Sequence, residues 1–377
     1  MRIKKGIKLL ASALIFACLL ILPVPAAAAP SVSARGAVLM DAKTGVILYQ
    51  ESAYARLPPA STTKIMTAIL ALENGDLNAP VTASRRAATT EGSSIWLREG
   101  ETLTLREMLY GILLKSGNDA SVAVAEHIAG QETEFVRRMN RKARELGACN
   151  THFVNANGLP APEHYSTAYD LAVITRYALN DPVFAAIVKT QETRISWPGE
   201  TWLRTLRTTN KLLAQFAGAD GVKTGTTSEA GQCLVASATR NGQQLIAVLL
   251  HSSNRWQEAA ALLEYGFTHF SLIQGGERGA LIENIPVLDG TLPEVRVFAK
   301  EDLQAVVPNG DKNKVRRVLE LPNQLRAPIK AGQSLGSLKL VEGSEILAET
   351  ELLAGDAVGK TSLWQRYFTC FLPGADR

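Results

Sequence analysis

The dipeptide Asn241-Gly242 lies between two apolar runs, residues 234–239 and 245–250. Both residues tolerate a positive φ, which the tight turn between twisted antiparallel strands demands. A further extended run covers residues 222–227, and two more, 37–40 and 46–49, flank a turn at 41–45. Short apolar runs bounded by turn residues predict strands, so an antiparallel sheet is expected. Between the runs the period changes. From Ser61 onward, Ile65, Met66, Ala68, Ile69 and Leu70 cover nearly every side of a helix, which predicts a buried one. Further helices are expected at 103–114, 120–128, 134–146, 170–179 and 258–270. The expected fold class is α/β in the α+β sense: an antiparallel sheet flanked by helices, with a helical lobe, over residues 29–275.

The chain has 377 residues, 46% hydrophobic and 20% charged, which is globular composition and more than one domain. Beyond about Gly275, short strands with polar turns follow one another at 295–298, 315–321, 338–340 and 346–352. They predict a small all-β domain over 276–358. At the other end Arg2, Lys4, Lys5 and Lys8 accompany an apolar run at 9–22, then Pro23-Val24-Pro25 and the small residues 26–29. A basic start, an apolar middle and an A-x-A exit predict a secretory signal peptide over 1–28, and hence an exported protein. That leader also explains the formal charge of +4: without its four basic residues, 36 of the 40 remain against 36 acidic ones. A neutral mature chain offers no electrostatic basis for binding nucleic acid, and none is expected.

Cys18 leaves with the leader, so Cys149, Cys233 and Cys370 remain, an odd count that argues against a disulfide framework. Cys233 falls in a strand pattern and reads as a small core residue. With no C-x-x-C or H-E-x-x-H pattern, no metal or other cofactor is expected. At the C-terminus, within 359–377, Leu363, Trp364, Tyr367, Phe368 and Phe371 share one helical face beside Lys360 and Arg366. The segment is too short to span a bilayer and fits an interfacial membrane anchor; a tail packed on the β domain is the alternative.

Three short patterns carry chemistry. Ser61 and Lys64 stand one turn apart on the same face of the expected buried helix. A serine hydroxyl is a weak nucleophile that needs an adjacent base. A lysine can be that base once burial and a neighbouring cation lower its pKa. S-x-x-K alone is common, and a serine cap with a surface lysine is the plain alternative; here the lysine lies in an otherwise apolar helix. Ser116-Gly117-Asn118 joins two apolar helices, where capping is the plain alternative, and Ser252-Ser253-Asn254 has the same form. Lys223-Thr224-Gly225 falls on an expected strand, where a lysine, a hydroxyl and a bare backbone can line a cleft for a carboxylate. Lys43-Thr44-Gly45 repeats the pattern, but in a hairpin turn upstream of Ser61, where Thr-Gly needs no function. The ordered set, with separations of 55 and 107 residues, is far more specific than any member.

In that order the motifs resemble those of penicillin-recognising acyl transferases. The chain resembles the low-molecular-mass penicillin-binding proteins, which are serine-type D-Ala-D-Ala carboxypeptidases, over nearly its whole mature length. The likeness extends to Asp41-Ala42-Lys43-Thr44-Gly45, Asn157-Gly158-Leu159-Pro160, the stretch from His164 through Tyr169 to Leu171, Asp220-Gly221-Val222 and Ala230-Gly231. Two departures stand out: Gly117 where β-lactamases often have Asp, and Thr226 where some relatives carry His. The resemblance implies a β-lactamase/transpeptidase-like catalytic domain and a two-step acyl transfer. Ser61 would attack the peptide carbonyl between the last two D-alanines, and Lys64 would take its proton. Backbone N–H groups of Ser61 and Thr226 would form the oxyanion hole. Ser116 would relay a proton to the leaving amine, and Lys223 would help keep Lys64 neutral. Asn118 would hold a substrate amide or the Lys64 side chain, Thr224 would bind the terminal carboxylate, and Gly225 would leave the strand bare. Ser61 is expected between the helical lobe and the sheet, facing the Lys223 strand.

The implied partners are peptidoglycan stem peptides, β-lactam antibiotics and the outer face of the cytoplasmic membrane. The alternatives are a DD-endopeptidase of wall cross-links, a β-lactamase and a non-catalytic wall-binding protein. A β-lactamase would not need the β tail, and a relic site would not be expected to keep Ser61, Lys64, Ser116, Asn118 and Lys223 intact. His127, His152, His164, His251 and His269 show no paired serine or metal spacing, and Trp96 and Trp197 read as packing or cleft-wall residues.

Overall fold

The computed structural model describes residues 29–362. The expected leader and Cys18 lie outside the described residues, as do Cys370 and the aromatic residues of the expected anchor. Five strands make the central sheet: β1 (Gly36–Asp41), β2 (Ile47–Glu51), β3 (Ala219–Thr227), β4 (Gly231–Arg240) and β5 (Gln243–Ser252). Their order is β2-β1-β5-β4-β3, antiparallel throughout. The β4–β5 turn places Asn241 at φ 50° and Gly242 at φ 79°, the geometry the dipeptide predicts. β1 runs beside β5, from Gly36 opposite Leu250 to Asp41 opposite Leu245, so the two ends of the domain close on each other.

Both faces of this sheet are covered, which is why its strands read as nearly unbroken apolar runs. Ala37, Leu39, Leu234, Ala236 and Leu249 pack on Ala259, Leu262 and Leu263 of the helix Arg255–His269. The alternate residues Val38, Met40, Val235, Ile246 and Val248 belong to a larger core shared with the helical lobe. That lobe contains α1 (Lys64–Asn74), α2 (Leu105–Leu114), α3 (Asn118–Ala129), α4 (Glu132–Glu145), α5 (Ala168–Leu179) and α6 (Pro182–Lys189); Arg255–His269 is α7. Local signals set several starts. Thr104 and Glu107 form a capping box on α2, and Asp181 caps α6 with Pro182 at its first turn. No helix among the described residues is long and apolar enough to cross a membrane.

The sequence anticipates the sheet and most helices to within a few residues. It misses α6, the short helices Arg85–Ala88 and Leu212–Gln215, and two small hairpins, Pro80–Thr82 with Thr102–Thr104 and Glu192–Ile195 with Arg204–Arg207; further on it misses the strands Phe270–Gly276, Leu281–Leu288, Leu303–Pro308 and Leu325–Arg326. One difference bears on the chemistry. The α-helix does not begin at Ser61: a 3₁₀ turn spans Ala60–Thr63 and the helix starts at Lys64. Thr62 donates both its N–H and its hydroxyl to Pro59 O, which tightens this turn.

The β region after α7 opens with β6 (Phe270–Gly276), which pairs with β9 (Leu303–Pro308) and so runs across the expected boundary at 275. The remaining strands are β7 (Leu281–Leu288), β8 (Glu294–Ala299), β10 (Val315–Glu320), β11 (Leu325–Arg326), β12 (Ser334–Glu342) and β13 (Glu345–Ala354). They form a six-stranded sheet in the order β10-β12-β13-β8-β7-β11 around its own core, which includes Val295, Val297, Leu338 and Leu352.

Candidate active site

Every expected site residue lies on β3, where the 3₁₀ turn meets α1 (Ser61 and Lys64), or where the preceding turn meets α3 (Ser116 and Asn118). β3 is the edge strand of the central sheet, and the Ala60–Thr63 turn packs on it. The approach is close because both sides lack bulk. A Cβ on Gly225 would stand 3.0 Å from Ser61 N and 3.1 Å from Pro59 O. From the other side Gly158 presses on the same turn, with φ +85° and a hypothetical Cβ only 1.9 Å from Ala60 O. Ala60 itself sits at φ 47°. Gly158→Ala is therefore expected to cost about 2 kcal/mol or more of stability and to displace Ser61. A melting curve and the rate of penicillin labelling together check this.

Lys64 is fully buried, and its Nζ has three neighbours: Ser61 Oγ at 2.9 Å, Asn118 Oδ1 at 2.7 Å and the Asn157 carbonyl oxygen. The orientation of the Asn118 amide is fixed, because its Nδ2 donates to Glu91 O at 2.7 Å. Burial, and after it the Lys223 ammonium, hold the Lys64 pKa well below its ordinary value; the Asp119 carboxylate opposes them. A neutral amine has two N–H donors and one lone pair. Asn118 Oδ1 and Asn157 O can only accept, so they take both donors. The lone pair is left facing the Ser61 hydroxyl.

Lys223 is 1% exposed and donates to Thr224 O at 2.9 Å. Burial, and then Arg255, lower its pKa to about 7. The Thr224 hydroxyl pairs with that of Thr209 at 2.7 Å. Ser116 lies in the left-handed region at φ 65°, and its buried Oγ has no hydrogen-bond partner among the described residues. Strained backbone and unpartnered buried hydroxyls are features that cluster at functional sites. Thr226 is exposed and its hydroxyl donates to Gly225 O at 2.7 Å.

The duplicate motifs have structural explanations. Asp41 accepts from Thr44 N and Thr44 Oγ1 at 2.8 and 2.9 Å, and Gly45 has φ 78°, so Lys43-Thr44-Gly45 is a hairpin turn. Ser252 Oγ donates to Glu258 Oε2 on α7 at 2.7 Å. Three residues near the site escaped the sequence reading, Asp119, Thr209 and Arg255, and Asn157 enters it only within a matching stretch, with no role. Asp119 is fully buried and accepts from Ser94 Oγ, Leu97 N and Ala120 N, which ties the 94–97 loop to α3. An acidic residue just inside a helix was a visible signal for it. Asn157 acts through its backbone carbonyl, which no residue type signals.

His164 supports the turn from behind. Its Nε2 meets Thr63 Oγ1 at 2.9 Å and its Nδ1 accepts from Val154 N at 3.1 Å. Burial, then His152 and Lys64, push its pKa down to about 4, so it stays neutral near pH 7. Cys233 is in the core, where burial raises its pKa to about 11. Trp96 is 62% exposed rather than packed. Among the described residues no cluster of His, Cys, Asp or Glu could hold a metal ion.

A sheet backed by one helix, a helical lobe against its edge strand and a serine–lysine pair in the seam define a serine acyl transferase. Residues 24–254 match the peptidase S11 family, D-alanyl-D-alanine carboxypeptidase, and residues 267–360 match the penicillin-binding protein 5 C-terminal domain. The D-alanyl-D-alanine carboxypeptidase DacF of Bacillus subtilis is 38% identical, over 87% of this chain and 86% of that one. Penicillin-binding protein 5 of Haemophilus influenzae superposes with a TM-score of 0.75 at 30% identity, covering 88% of this chain and 99% of that one. The Streptomyces K15 DD-transpeptidase does so with a TM-score of 0.61 at 35% identity, over 64% of this chain and 99% of that one. This chain belongs to the D-alanyl-D-alanine carboxypeptidase family of serine peptidases, and its β-rich tail is that family's penicillin-binding protein 5 type.

Proposed function

We propose that this carboxypeptidase removes the terminal D-alanine of peptidoglycan stem pentapeptides through an ester on Ser61, and that penicillins acylate the same serine. The observation that carries the reading is the Lys64 amine, whose two acceptor-only partners leave its lone pair for the Ser61 hydroxyl. Lys64 takes the Ser61 proton as Oγ adds to the carbonyl between the last two D-alanines. The oxyanion is received by the backbone N–H groups of Ser61 and Thr226. Collapse breaks the C–N bond, and a proton relayed through the Ser116 hydroxyl leaves with the D-alanine amine. Lys223 carries the shared positive charge of the lysine pair and, with Thr224, holds the terminal carboxylate. Asn118 keeps Lys64 aimed. Gly225 lets the serine turn lie against β3, whose open edge accepts the extended peptide as an added strand. Water then hydrolyses the ester.

The division of labour follows the fold. Residues 29–275 carry the catalysis, the β domain over 276–358 stands beside it, and 359–377 anchor the enzyme to the outer face of the cytoplasmic membrane after export directed by 1–28. The substrate lies outside the cytoplasm, so both terminal segments serve one location. The anchor is tested by flotation with anionic lipid vesicles. The mature chain should float and a chain ending at 358 should not; equal behaviour of the two rules out the anchor. The activity is tested by D-alanine release from a peptide ending in D-Ala-D-Ala. Release of D-alanine alone establishes the carboxypeptidase. Cleavage seen only with cross-linked wall fragments would make it an endopeptidase instead.

A further inference from the structure

Arg255 opens α7, on the far side of β3 from the serine turn. One of its guanidinium nitrogens, Nη1, shares its two hydrogens among Gly225 O at 2.8 Å, Thr226 Oγ1 at 2.8 Å and Cys233 O at 3.1 Å. The guanidinium lies over the Trp256 ring, 4.7 Å from its centroid, and its Nε is buried without a partner among the described residues. A cation is thus held in the groove between β3 and β4, where its contacts are backbone carbonyls and one hydroxyl. Surface ion pairing does not explain such a placement.

The carbonyl of Gly225 and the N–H of Thr226 belong to one planar trans peptide group, and they point in opposite directions. Because Arg255 also reaches Cys233 O on β4, the Gly225 carbonyl is turned towards β4. The Thr226 N–H is therefore turned towards the open edge of β3, beside the serine turn, which packs over the face of that strand at Gly225. A charge-assisted hydrogen bond to the carbonyl also polarises the peptide group and strengthens its N–H as a donor. We infer that Arg255 is a positioning residue that orients and polarises the Gly225–Thr226 peptide, and so sets the strength of one half of the oxyanion hole. The inference rests on the reading of Thr226 N–H as an oxyanion donor. The same cation accounts for part of the lowered pKa of Lys223. The other titratable group facing Lys223 is Lys64, which in turn feels Asp119.

The test uses the mature enzyme and its Arg255→Met and Arg255→Lys variants. The probe is a peptide boronic acid, which adds to a serine hydroxyl and places a tetrahedral oxygen in the oxyanion hole. In Arg255→Met, boronate affinity and the rate of penicillin acylation should each fall about 10- to 100-fold, because one oxyanion donor is weakened and misaimed. Affinity for the intact D-Ala-D-Ala peptide, measured in the Ser61→Ala background, should change less than about 3-fold, since its neutral carbonyl carries no oxyanion charge. Arg255→Lys should restore most of the loss. The pH limb that reports Lys223 should move up from about 7 in Arg255→Met and stay in place in Arg255→Lys. Equal losses in boronate and intact-peptide affinity, or no loss in either, would overturn the proposal. Thr226→Pro, which lacks the N–H, separates the two layers. If folded Thr226→Pro still acylates at the parent rate, the oxyanion reading fails. If it loses the boronate adduct while Arg255→Met keeps it, only the role of Arg255 fails. Should Thr226→Pro not fold, the boronate comparison of the two Arg255 variants decides the matter alone.

Discussion

Ser61→Ala is expected to release no measurable D-alanine from a D-Ala-D-Ala peptide, a loss of about 10⁴-fold or more. The size follows from the absence of a substitute. Thr62 and Thr63 flank the position, but the Thr62 hydroxyl donates to Pro59 O, and Thr63 Oγ1 is buried and accepts from His164 Nε2, the protonated nitrogen of a ring whose Nδ1 accepts from Val154 N. Ser116 has a free hydroxyl, but no base is hydrogen-bonded to it. The substitution removes one oxygen and leaves Gly158, Gly225 and Lys64 where they are, so the fold should persist and product-peptide binding should stay within about 3-fold. Labelled penicillin run on a denaturing gel reports the covalent step. The parent should give a labelled band and the variant none. A labelled Ser61→Ala band, or D-alanine release within about tenfold of the parent, would remove Ser61 from the nucleophile's place.

The second large effect belongs to Lys64. Lys64→Met should slow acylation about 10³-fold, the usual contribution of a positioned general base. Lys64→Arg should be no better, because a guanidinium keeps its proton at any working pH and offers no lone pair. Retained activity in Lys64→Arg would show that a cation, and not a base, is needed there. The pH profile carries the same information. Burial and the Lys223 ammonium favour the neutral amine of Lys64, so the rate should fall as acid protonates it, at a pH well below the usual lysine range. Lys223 must keep its proton to hold a carboxylate, and its pKa is about 7. An alkaline fall in kcat/KM is therefore expected near there for the free enzyme. A bound carboxylate favours the ammonium, so the alkaline limb of kcat should lie at higher pH than that of kcat/KM. The two lysines interact, and both limbs belong to the pair rather than to either residue.

Much of this was legible in residue types and local period. Apolar runs with Asn241-Gly242 between them specify strands and one turn, because alternation and turn chemistry are local properties. Ser61, Lys64, Ser116, Asn118 and Lys223 announce themselves by type, order and element. Residue type also announced false copies. Only pairing showed that Lys43-Thr44-Gly45 turns a hairpin around Asp41 while Lys223-Thr224-Gly225 lies on an open sheet edge. Nor could local pattern give the 3₁₀ turn before α1, which depends on Gly158 and Gly225 closing on Ala60 from two distant segments.

The sequence by itself determined which chemical groups this protein has and the strands and helices that carry them. Tertiary structure alone decided what those groups can do. The state of Lys64 follows from burial, from a second lysine on a remote strand and from a carbonyl at Asn157. The carbonyl of Gly225, next to Thr226, accepts from an arginine on another helix. Protonation and backbone orientation are set by what surrounds a group in space, and those neighbours come from parts of the chain that only folding brings together.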